Sequence, residues 1–527
     1  MEPAIPALRV HDAWRPVLVL IGVVTLWRVL MAWLVPVTQD EAYYFDWARH
    51  LAWGYFDHPP GVALLGLGTW LAPSSALAAR LGGVLAGALT LVVLARLYRN
   101  SGIRGESDLT LALVIAVGTL PGLAGGFLTT PDSALALGWA LALHESERAL
   151  AGQRRRWLTA GLAVGIGLLG KYTMVVMGPV LLWAILRADP RALRTPWPYL
   201  GGLVALLVLA PNLVWNAQNE WLTLRFQLGH GFAADSGALM PGTGLPDGSA
   251  TIERSGHEGL AEGGQSLLGY LGSQLALWGL LALPLLWVSW LAWRGAMAPQ
   301  ASPLSASARS LLQAATWLPL GFFALVSLRS DVEANWPLMY LLAAPPLLVP
   351  VWERIRGWVA AAALGNLLLV SLYGIHAATR ALPLPEGQNR ILRETHGFAE
   401  LAAAVAGLDA PVYADRYQDT AMLRFYAPGI TATQWPGLTR PSEYLRGKIA
   451  PRVGPTAPEG PFWLITRGRP APEIPGAAMD ARRILVDCPG EPLAEGAEPP
   501  CARPLHVWSL YHYRTDGPWE IHRQPVQ

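Results

Sequence analysis

The sequence predicts an α-helical membrane protein with many spans, followed by an α/β domain outside the membrane. Of its 527 residues, 53% are hydrophobic and only 14% are charged, whereas soluble domains carry about 25% charged residues. Apolar segments long enough to cross a bilayer, roughly 20 residues each, recur along residues 1–377. Residues 378–527 contain no such segment and are rich in Pro, Arg and Glu. We therefore predict a transmembrane domain at 1–377 and a soluble domain at 378–527.

Eleven apolar segments of the transmembrane domain are predicted to be spans. They lie at about 17–37, 76–97, 108–127, 132–148, 157–170, 172–187, 197–216, 267–293, 309–328, 336–352 and 357–377. Many of the 24 Trp residues lie near the ends of these segments, as expected for an aromatic belt. The apolar stretch 61–72 is too short to cross, so we predict a second interfacial or re-entrant helix there.

The distribution of basic residues predicts the orientation. With the N-terminus inside, the inner segments hold fifteen arginines, while the outer loops before residue 378 hold five basic residues. An odd number of spans then places the soluble domain outside. Cys488 and Cys501 both lie in that domain, which favours a disulfide over two free thiols. A net charge of +2 without a basic tract argues against a nucleic-acid partner.

The segment 38–60 follows the first span and carries many ionisable groups. Its apolar residues Tyr44, Trp47, Ala48 and Leu51 have the spacing of one helix face, which predicts a helix lying flat in the membrane interface. Two prolines at its end forbid continuation of the helix. The expected product is a polar ledge on the membrane surface that holds a lipid headgroup and a reacting sugar.

Polar residues at the outer ends of the spans form one candidate site. Acids there are not explained by topology, so a functional site is the natural hypothesis. The set comprises Asp40, Glu41, Asp57, His58, Asp132, Lys171, Asn212, Asn216, His230, Arg329, Asp331, Glu333 and Asn335.

Several of these residues also have a structural interpretation. Thr38 and Glu41 have the spacing of a capping box, so Asp40 is equally explained as an acid favouring a helix N-terminus. Asp132 follows a threonine and a proline in the pattern of a helix start. Lys171 is equally explained as an interface anchor. Arg28, inside the first span, either snorkels, pairs within the bundle or lies near a lipid phosphate.

The motifs D-E-A-Y-Y-F-D-W and G-Y-F-D-H-P-P resemble those of bacterial membrane glycosyltransferases of the GT-C superfamily. That group includes aminoarabinose:lipid A transferases, lipopolysaccharide galacturonosyltransferases and, more distantly, protein O-mannosyltransferases. Further similarity lies in T-P-D at 130–132, G-K-Y at 170–172, P-N-L-V-W-N at 211–216, E-A-N-W-P at 333–337 and A-D-R-Y-Q-D-T-A-M-L-R-F-Y at 414–426. The resemblance covers nearly the whole chain.

The resemblance implies an inverting transfer of a sugar from a polyprenyl-phosphate donor to an acceptor of the envelope. The implied acceptor is lipid A, lipopolysaccharide core or another glycolipid, and a protein acceptor is the less favoured alternative. The reaction would take place on the outer face of the bacterial inner membrane. Asp40 would be the catalytic base and Asp132 the second acid, with Glu41 beside Asp40. Lys171 and Arg329 would bind the donor phosphate, and His58 stands where related transferases have a lysine.

Some members of the superfamily bind a divalent metal ion near the donor phosphate, and the resemblance implies Asp57 and His230 as its ligands here. No other cofactor is implied. The strongest rival function is a transporter or flippase of lipid-linked sugars. Such proteins tend to show internal repeats and a site at the membrane midplane, and neither pattern is found in this sequence.

Overall fold

The computed structural model describes residues 14–232, 260–296, 302–385, 389–450, 460–474, 476–496 and 498–515. A helical bundle comes first, and a tail with a six-stranded sheet follows it. The bundle helices are α1 Arg15–Leu34, α2 Gln39–Arg49, α3 Gly61–Leu65, α4 Ala76–Ser101, α5 Glu106–Gly118, α6 Leu120–Ala124, α7 Pro131–Leu150, α8 Arg156–Gly170, α9 Met177–Ala188, α10 Trp197–Gln218, α11 Leu222–Phe232, α12 Leu260–Leu277, α13 Ala282–Trp293, α14 Ala306–Ser327, α15 Pro345–Trp352 and α16 Arg356–Thr379.

Five helical segments are long and apolar enough to cross a membrane, and a sixth counts if one bent pair forms a single span. The bent pair turns by 105° between Ala261–Leu277 and Gly279–Trp293. The segment Pro345–Thr379 qualifies as one 35-residue helix, where the sequence predicts two spans. Helices α8 and α9 are apolar but short. The chain is therefore a multi-pass membrane protein by its described helices, and the count of eleven spans stays a prediction.

The segment 38–60 after α1, the ledge, forms the predicted helix α2. Thr38 caps α2, and a capping box joins its side chain to Glu41, which confirms the spacing argument. Residues 41–48 are all buried. The tail covers the polar face of this helix. Asp46 on that face pairs with Arg424 of the tail at 2.6 Å.

The stretch after the ledge is helical and short, as predicted. It forms α3 and a 3-10 turn, Leu67–Trp70, separated at Gly66. Trp70 and Leu71 are exposed, which is typical of a segment that faces lipid at an interface.

The tail carries one mixed sheet with three helices. The helices are α17 Arg390–Thr395, α18 Phe398–Ala406 and α19 Tyr417–Tyr426. The strands are β1 Val412–Ala414, β2 Thr433–Gln434, β3 Phe462–Arg467, β4 Ala477–Asp487, β5 Ala494–Glu495 and β6 His506–Thr515, in the order β2-β1-β3-β6-β4-β5. Strand β1 pairs in parallel with β2 and β3, and the remaining pairs are antiparallel. Strands β1, β3 and β6 cover the strand-like stretches near 411–415, 462–466 and 505–511 of the sequence.

The tail is tied both to itself and to the bundle. Cys488 and Cys501 form the predicted disulfide. One hydrophobic cluster joins residues of α2, such as Phe45 and Trp47, to tail residues such as Met422. Because the ledge and the tail share this core, the division after residue 377 stays a prediction rather than a visible boundary.

Candidate active site

The carboxylate of Asp40 lies where the ledge meets the tail. It occupies the second position of α2 after the cap Thr38, and its side chain is exposed. The phenol of Tyr417, at the start of α19, donates a hydrogen bond to Asp40 Oδ1 at 3.0 Å. The capping bond to the α2 N-terminus comes from Thr38, so Asp40 is not the cap. Its carboxylate therefore faces the gap between the two parts of the chain.

A half-buried ion pair between Arg440 and Asp57 packs against Tyr417. The guanidinium of Arg440 lies over the Tyr417 ring, 4.2 Å from its centroid. Arg440 Nη1 also donates to Asp57 Oδ1 at 2.7 Å, and Asp57 is 4% exposed. Gln227 Nε2 donates to the carbonyl oxygen of Asp57 at 2.5 Å. The contacts form one series. Asp57 of the ledge binds Arg440 of the tail, Arg440 packs on Tyr417, and Tyr417 donates to Asp40 of the ledge.

Two opposing effects set the basicity of Asp40. The protein around the carboxyl removes it from bulk water and raises its pKa above the usual range. The hydrogen bond from Tyr417 and the charge of Arg440 lower the pKa, but by less. The carboxyl of Asp40 is thus exposed and also has a raised pKa. A carboxylate of this kind is a stronger base than an ordinary surface aspartate.

Glu41 is held in a structural ion pair, and its catalytic role stays a prediction. Its carboxylate is buried and pairs with Arg80, with Arg80 Nε donating to Oε1 at 2.9 Å and Nη2 to Oε2 at 2.6 Å. Thr129 N–H also donates to Oε1, and Thr38 N–H to Oε2. Both oxygens are therefore occupied. Glu41 holds α1, α2 and α4 together because Arg80 also donates to carbonyl oxygens at the end of α1.

Asp132 and Lys171 form a second cluster. Lys171 Nζ donates to both carboxylate oxygens of Asp132, at 2.8 and 3.0 Å. Asn335 Nδ2 donates to Asp132 Oδ2 at 2.9 Å. Lys171 is 5% exposed and Asp132 is partly exposed. The two residues that the sequence assigned to separate roles are thus one ion pair, formed where α7 begins and α8 ends.

Glycines bring this pair close to the ledge. A Cβ atom on Gly61 would lie 2.7 Å from Gly170 Cα, and one on Gly170 would lie 2.8 Å from Leu135 N. The ledge, the end of α8 and the start of α7 therefore touch through their backbones. Lys171 directly follows Gly170, so this close approach places its ammonium beside α7.

An arginine of the tail lies within electrostatic range of the ledge. The pKa of Arg390 is raised, first by its hydrogen bond with Glu394 and further by the charges of Asp40 and Glu333.

The other predicted residues lie at varied places. Arg329 is exposed just after α14. His58 is half-buried in the ledge, with its ring 5.9 Å from that of Tyr44. His230 belongs to α11, but its side chain lies outside the described residues.

The metal site predicted at Asp57 and His230 stays a prediction, because the side chain of His230 lies outside the described residues. Asp57 Oδ1 accepts a hydrogen bond from Arg440, while Asp57 Oδ2 is buried and has no hydrogen-bond partner among the described residues. Among the described residues, no group of three or more His, Cys, Asp or Glu side chains is arranged to hold a metal ion.

The motif at 211–216 has a structural role. Tyr172 donates its hydroxyl to Asn212 Oδ1 at 2.7 Å, and Asn216 Nδ2 donates to the Tyr172 oxygen at 3.0 Å. Asn212 Nδ2 in turn donates to the carbonyl oxygen of Trp53 at 2.6 Å. This network ties α10 to the ledge and to the residue after Lys171.

Sequence reasoning missed Tyr417 and Arg440 as site residues. Tyr417 lies in the motif at 414–426 that carries part of the resemblance, so the sequence could have indicated it as a site residue. Arg440 lies in an ordinary T-R-P-S stretch, and nothing local marks it.

Comparisons with known proteins agree with this architecture. Residues 57–215 match the family described as dolichyl-phosphate-mannose-protein mannosyltransferase. This range contains Asp57, Asp132 and Lys171 but not Asp40. The lipid A galacturonosyltransferase RgtD of Rhizobium johnstonii is 32% identical over 213 residues, which are 38% of this chain and 43% of that protein. The match thus spans less than half of the relative's length.

Two solved structures share the fold over nearly the whole chain. ArnT from Cupriavidus metallidurans bound to undecaprenyl phosphate has a TM-score of 0.61, covering 94% of this chain and 97% of that chain at 16% identity. Its apo state has a TM-score of 0.61, covering 95% and 98% at 15% identity. The fold is thus that of the two ArnT structures. Over part of its length the chain is similar in sequence to glycosyltransferases, among them RgtD, in agreement with the predicted resemblance.

Proposed function

We propose that this protein is an inverting glycosyltransferase that moves a sugar from a polyprenyl-phosphate donor to an acceptor of the bacterial envelope. The acceptor is lipid A, lipopolysaccharide core or another glycolipid, with protein the less favoured class. The observation that carries the proposal is the carboxylate of Asp40, which is exposed where the ledge meets the tail, accepts a hydrogen bond from Tyr417 and has a raised pKa. Similarity to RgtD and ArnT supports the substrate class.

Asp40 is the general base in this proposal. A lipid phosphate is already a competent leaving group, so the protein must chiefly activate the acceptor hydroxyl and stabilise the departing phosphate. Asp40 accepts the proton as the acceptor oxygen attacks the anomeric carbon. The hydrogen bond from Tyr417 fixes the direction of the carboxylate, and Arg440 holds the tyrosine ring in place.

Lys171 binds the donor phosphate, with Asp132 as the residue that positions it. An ammonium has three N–H donors, and Asp132 orients them by accepting at 2.8 and 3.0 Å. In this revised assignment Asp132 acts through Lys171 instead of taking a proton. Arg329 and His58 add positive charge at the phosphate, and protonation of His58 makes its contribution depend on pH.

The site is proposed to lie on the outer face of the inner membrane, with the N-terminus inside and the tail outside. Reporter fusions near residue 385 test this orientation, and a cytoplasmic signal there would contradict it. We derive no step through a divalent metal, because only Asp57 of its two predicted ligands has a described side chain. Activity with and without a chelator measures any metal requirement directly.

Reconstitution tests the reaction itself. The purified protein in vesicles is incubated with radiolabelled polyprenyl-phosphate sugars and with extracted envelope lipids as acceptors. The expected result is label on an acceptor lipid, and none with the Asp40→Asn variant. Label that crosses the vesicle membrane without transfer would make the protein a flippase and overturn the proposal. Comparing envelope glycans with and without the gene by mass spectrometry then identifies the sugar and acceptor.

A further inference from the structure

Arg28 carries a charge into the bundle without a counter-ion. It lies on α1 six residues before the helix ends at Leu34, about 9 Å along the axis, and is 4% exposed. Its Nη2 donates to the carbonyl oxygen of Gly122 at 2.6 Å. Its Nε and Nη1 atoms are buried and have no hydrogen-bond partner, and no ion pair with Arg28 occurs in the described parts of the chain.

Two glycines make the space that this guanidinium occupies. A Cβ atom on Gly126 would lie 2.0 Å from Arg28 Nε, and one on Gly87 would lie 3.0 Å from Nη1. A larger residue at Gly126 would displace the side chain. The local sequence therefore accommodates a buried arginine, although burying one is expensive inside a membrane.

A cavity of about 100 Å³ opens beside Arg28. Its wall is mostly apolar and includes Leu91, Leu94 and Ala136. Asp132 also lines it, but Lys171 balances that carboxylate at 2.8 Å. Arg28 is thus the cation on the cavity wall whose charge no described side chain neutralises.

We infer that this cavity is a second binding site, in which Arg28 holds an oxyanion. A buried guanidinium with two nitrogen atoms that make no hydrogen bond is stabilised by a group that accepts from both, as a phosphate or carboxylate does. The apolar wall fits an anion that is attached to a hydrocarbon chain. The cavity adjoins the Lys171 cluster at Asp132, but its cation is Arg28, and the inference does not depend on the proposed reaction.

Ligand-induced stabilisation of the full-length protein tests the site. The protein in phosphatidylcholine nanodiscs is titrated with decyl phosphate, inorganic phosphate or decanol, and the unfolding temperature is measured. Decyl phosphate at saturation is expected to raise Tm by about 2–4 °C, and decanol is not. A shift with inorganic phosphate of the same size would identify a free anion as the ligand instead of a lipid, with Arg28 still its binder.

Three variants locate the ligand. Arg28→Met removes the charge and Ala136→Leu fills the cavity while leaving Arg28 in place; both are expected to lose most of the shift. Arg96→Met removes an exposed arginine of α4 and should keep it. An undiminished shift in Arg28→Met, or an equal shift with decanol, would overturn the inference. If Arg28→Met does not fold, Ala136→Leu decides in the same way.

Discussion

The phenol of Tyr417 and the carboxylate of Asp40 are 377 residues apart in the chain and joined by a hydrogen bond of 3.0 Å. One belongs to the tail and the other to the first helix after α1. The candidate base is therefore completed only when the tail docks on the ledge. The ion pairs Asp57–Arg440 and Asp46–Arg424 join the same two parts of the chain, so docking and formation of the site are one event.

Tyr417→Phe should raise the pKa of Asp40. The hydrogen bond from Tyr417 favours the charged carboxylate and lowers its pKa, so its loss moves the pKa upward. A base must be deprotonated to act, and activity is lost as pH falls through its pKa. The acid limb of the pH–rate profile should therefore shift to higher pH, by less than about one unit because Asp40 is exposed to solvent.

Tyr413→Phe is the matched control for this experiment. Tyr413 is also a buried tyrosine of the tail, but its ring packs against Trp435 and Phe462 within the sheet. Its variant should leave the acid limb unchanged. Equal profiles for wild type and Tyr417→Phe would show that the hydrogen bond does not tune the base.

Asp40→Asn should separate chemistry from folding. Thr38 supplies the cap of α2, so the amide removes the basic carboxylate without removing a capping bond. Turnover should fall by roughly 10²–10⁴-fold, the usual contribution of general-base catalysis. Tm should stay close to that of wild type. Near-normal turnover in a folded Asp40→Asn protein would reject Asp40 as the base.

Glu41→Gln should behave in the opposite way. Its carboxylate pairs with fully buried Arg80, and breaking a buried pair costs about 3–5 kcal/mol because one charge is left uncompensated. The variant should unfold at lower temperature or insert poorly, as thermal unfolding and membrane yield will show. A stable Glu41→Gln protein with lost turnover would return Glu41 to a catalytic role.

The membrane architecture and the position of the ledge could be predicted because they depend on local patterns. Apolar runs mark helices such as α1 and α4, and the Thr38–Glu41 spacing marks the start of α2. A short continuous run of apolar residues, 462–465, marks β3. The acids predicted at the outer ends of the spans were recognised as candidate site residues because the distribution of basic residues does not explain them. These signals lie within a few residues of one another in the chain.

The pairing of the charged groups could not be predicted because it depends on contacts between distant segments. Asp40 and Glu41 are neighbours, and the local sequence does not distinguish their roles. Glu41 is structural because Arg80, on another helix, pairs with it. Likewise Asp57 acquires its partner from Arg440, 383 residues away. The open polar face expected for α2 is covered because Asp46 finds Arg424. Helix periodicity says which face is polar but not what covers it.

The Lys171–Asp132 pair predicts a result for single and double variants. Lys171→Met leaves the Asp132 carboxylate without its cation, so the free energy of unfolding should fall. The loss should be less than the roughly 3–5 kcal/mol of a fully buried pair, because Asp132 is partly exposed. Lys171→Met/Asp132→Asn should recover stability because it removes both charges. Donor use should not recover, since the proposed phosphate ligand is still missing.

Donor titrations distinguish a phosphate ligand from a structural pair. KM for the polyprenyl-phosphate donor should rise in Lys171→Met and stay high in the double variant. Lys171→Arg should restore donor use only in part, because a planar guanidinium does not reproduce the point charge of an ammonium. Recovery of normal donor KM in the double variant would make the pair structural.

Glu443 predicts how stability depends on pH. Burial raises its pKa to about 7, even though Arg446 and the Phe56 N–H favour the charged form. Its carboxylate accepts from Phe56 N–H of the ledge at 2.7 Å, and its own N–H donates to the Tyr43 hydroxyl at 2.7 Å. The protonation of Glu443 is thus coupled to the contact between ledge and tail.

The sign of the effect follows from the two pKa values of Glu443. Below about 4.5, the ordinary value, the folded and unfolded states are both protonated; between about 4.5 and 7 only the folded state holds the proton. Stability should therefore fall as pH rises through this window, by at most about 1.4 kcal/mol per pH unit, and level off above it. Glu443→Gln cannot titrate, so Tm measured from pH 5 to 8 should fall less steeply in this variant. Parallel curves for the two proteins would mean that Glu443 is already ionised in the folded state, and that its pairing with Arg446 outweighs its burial.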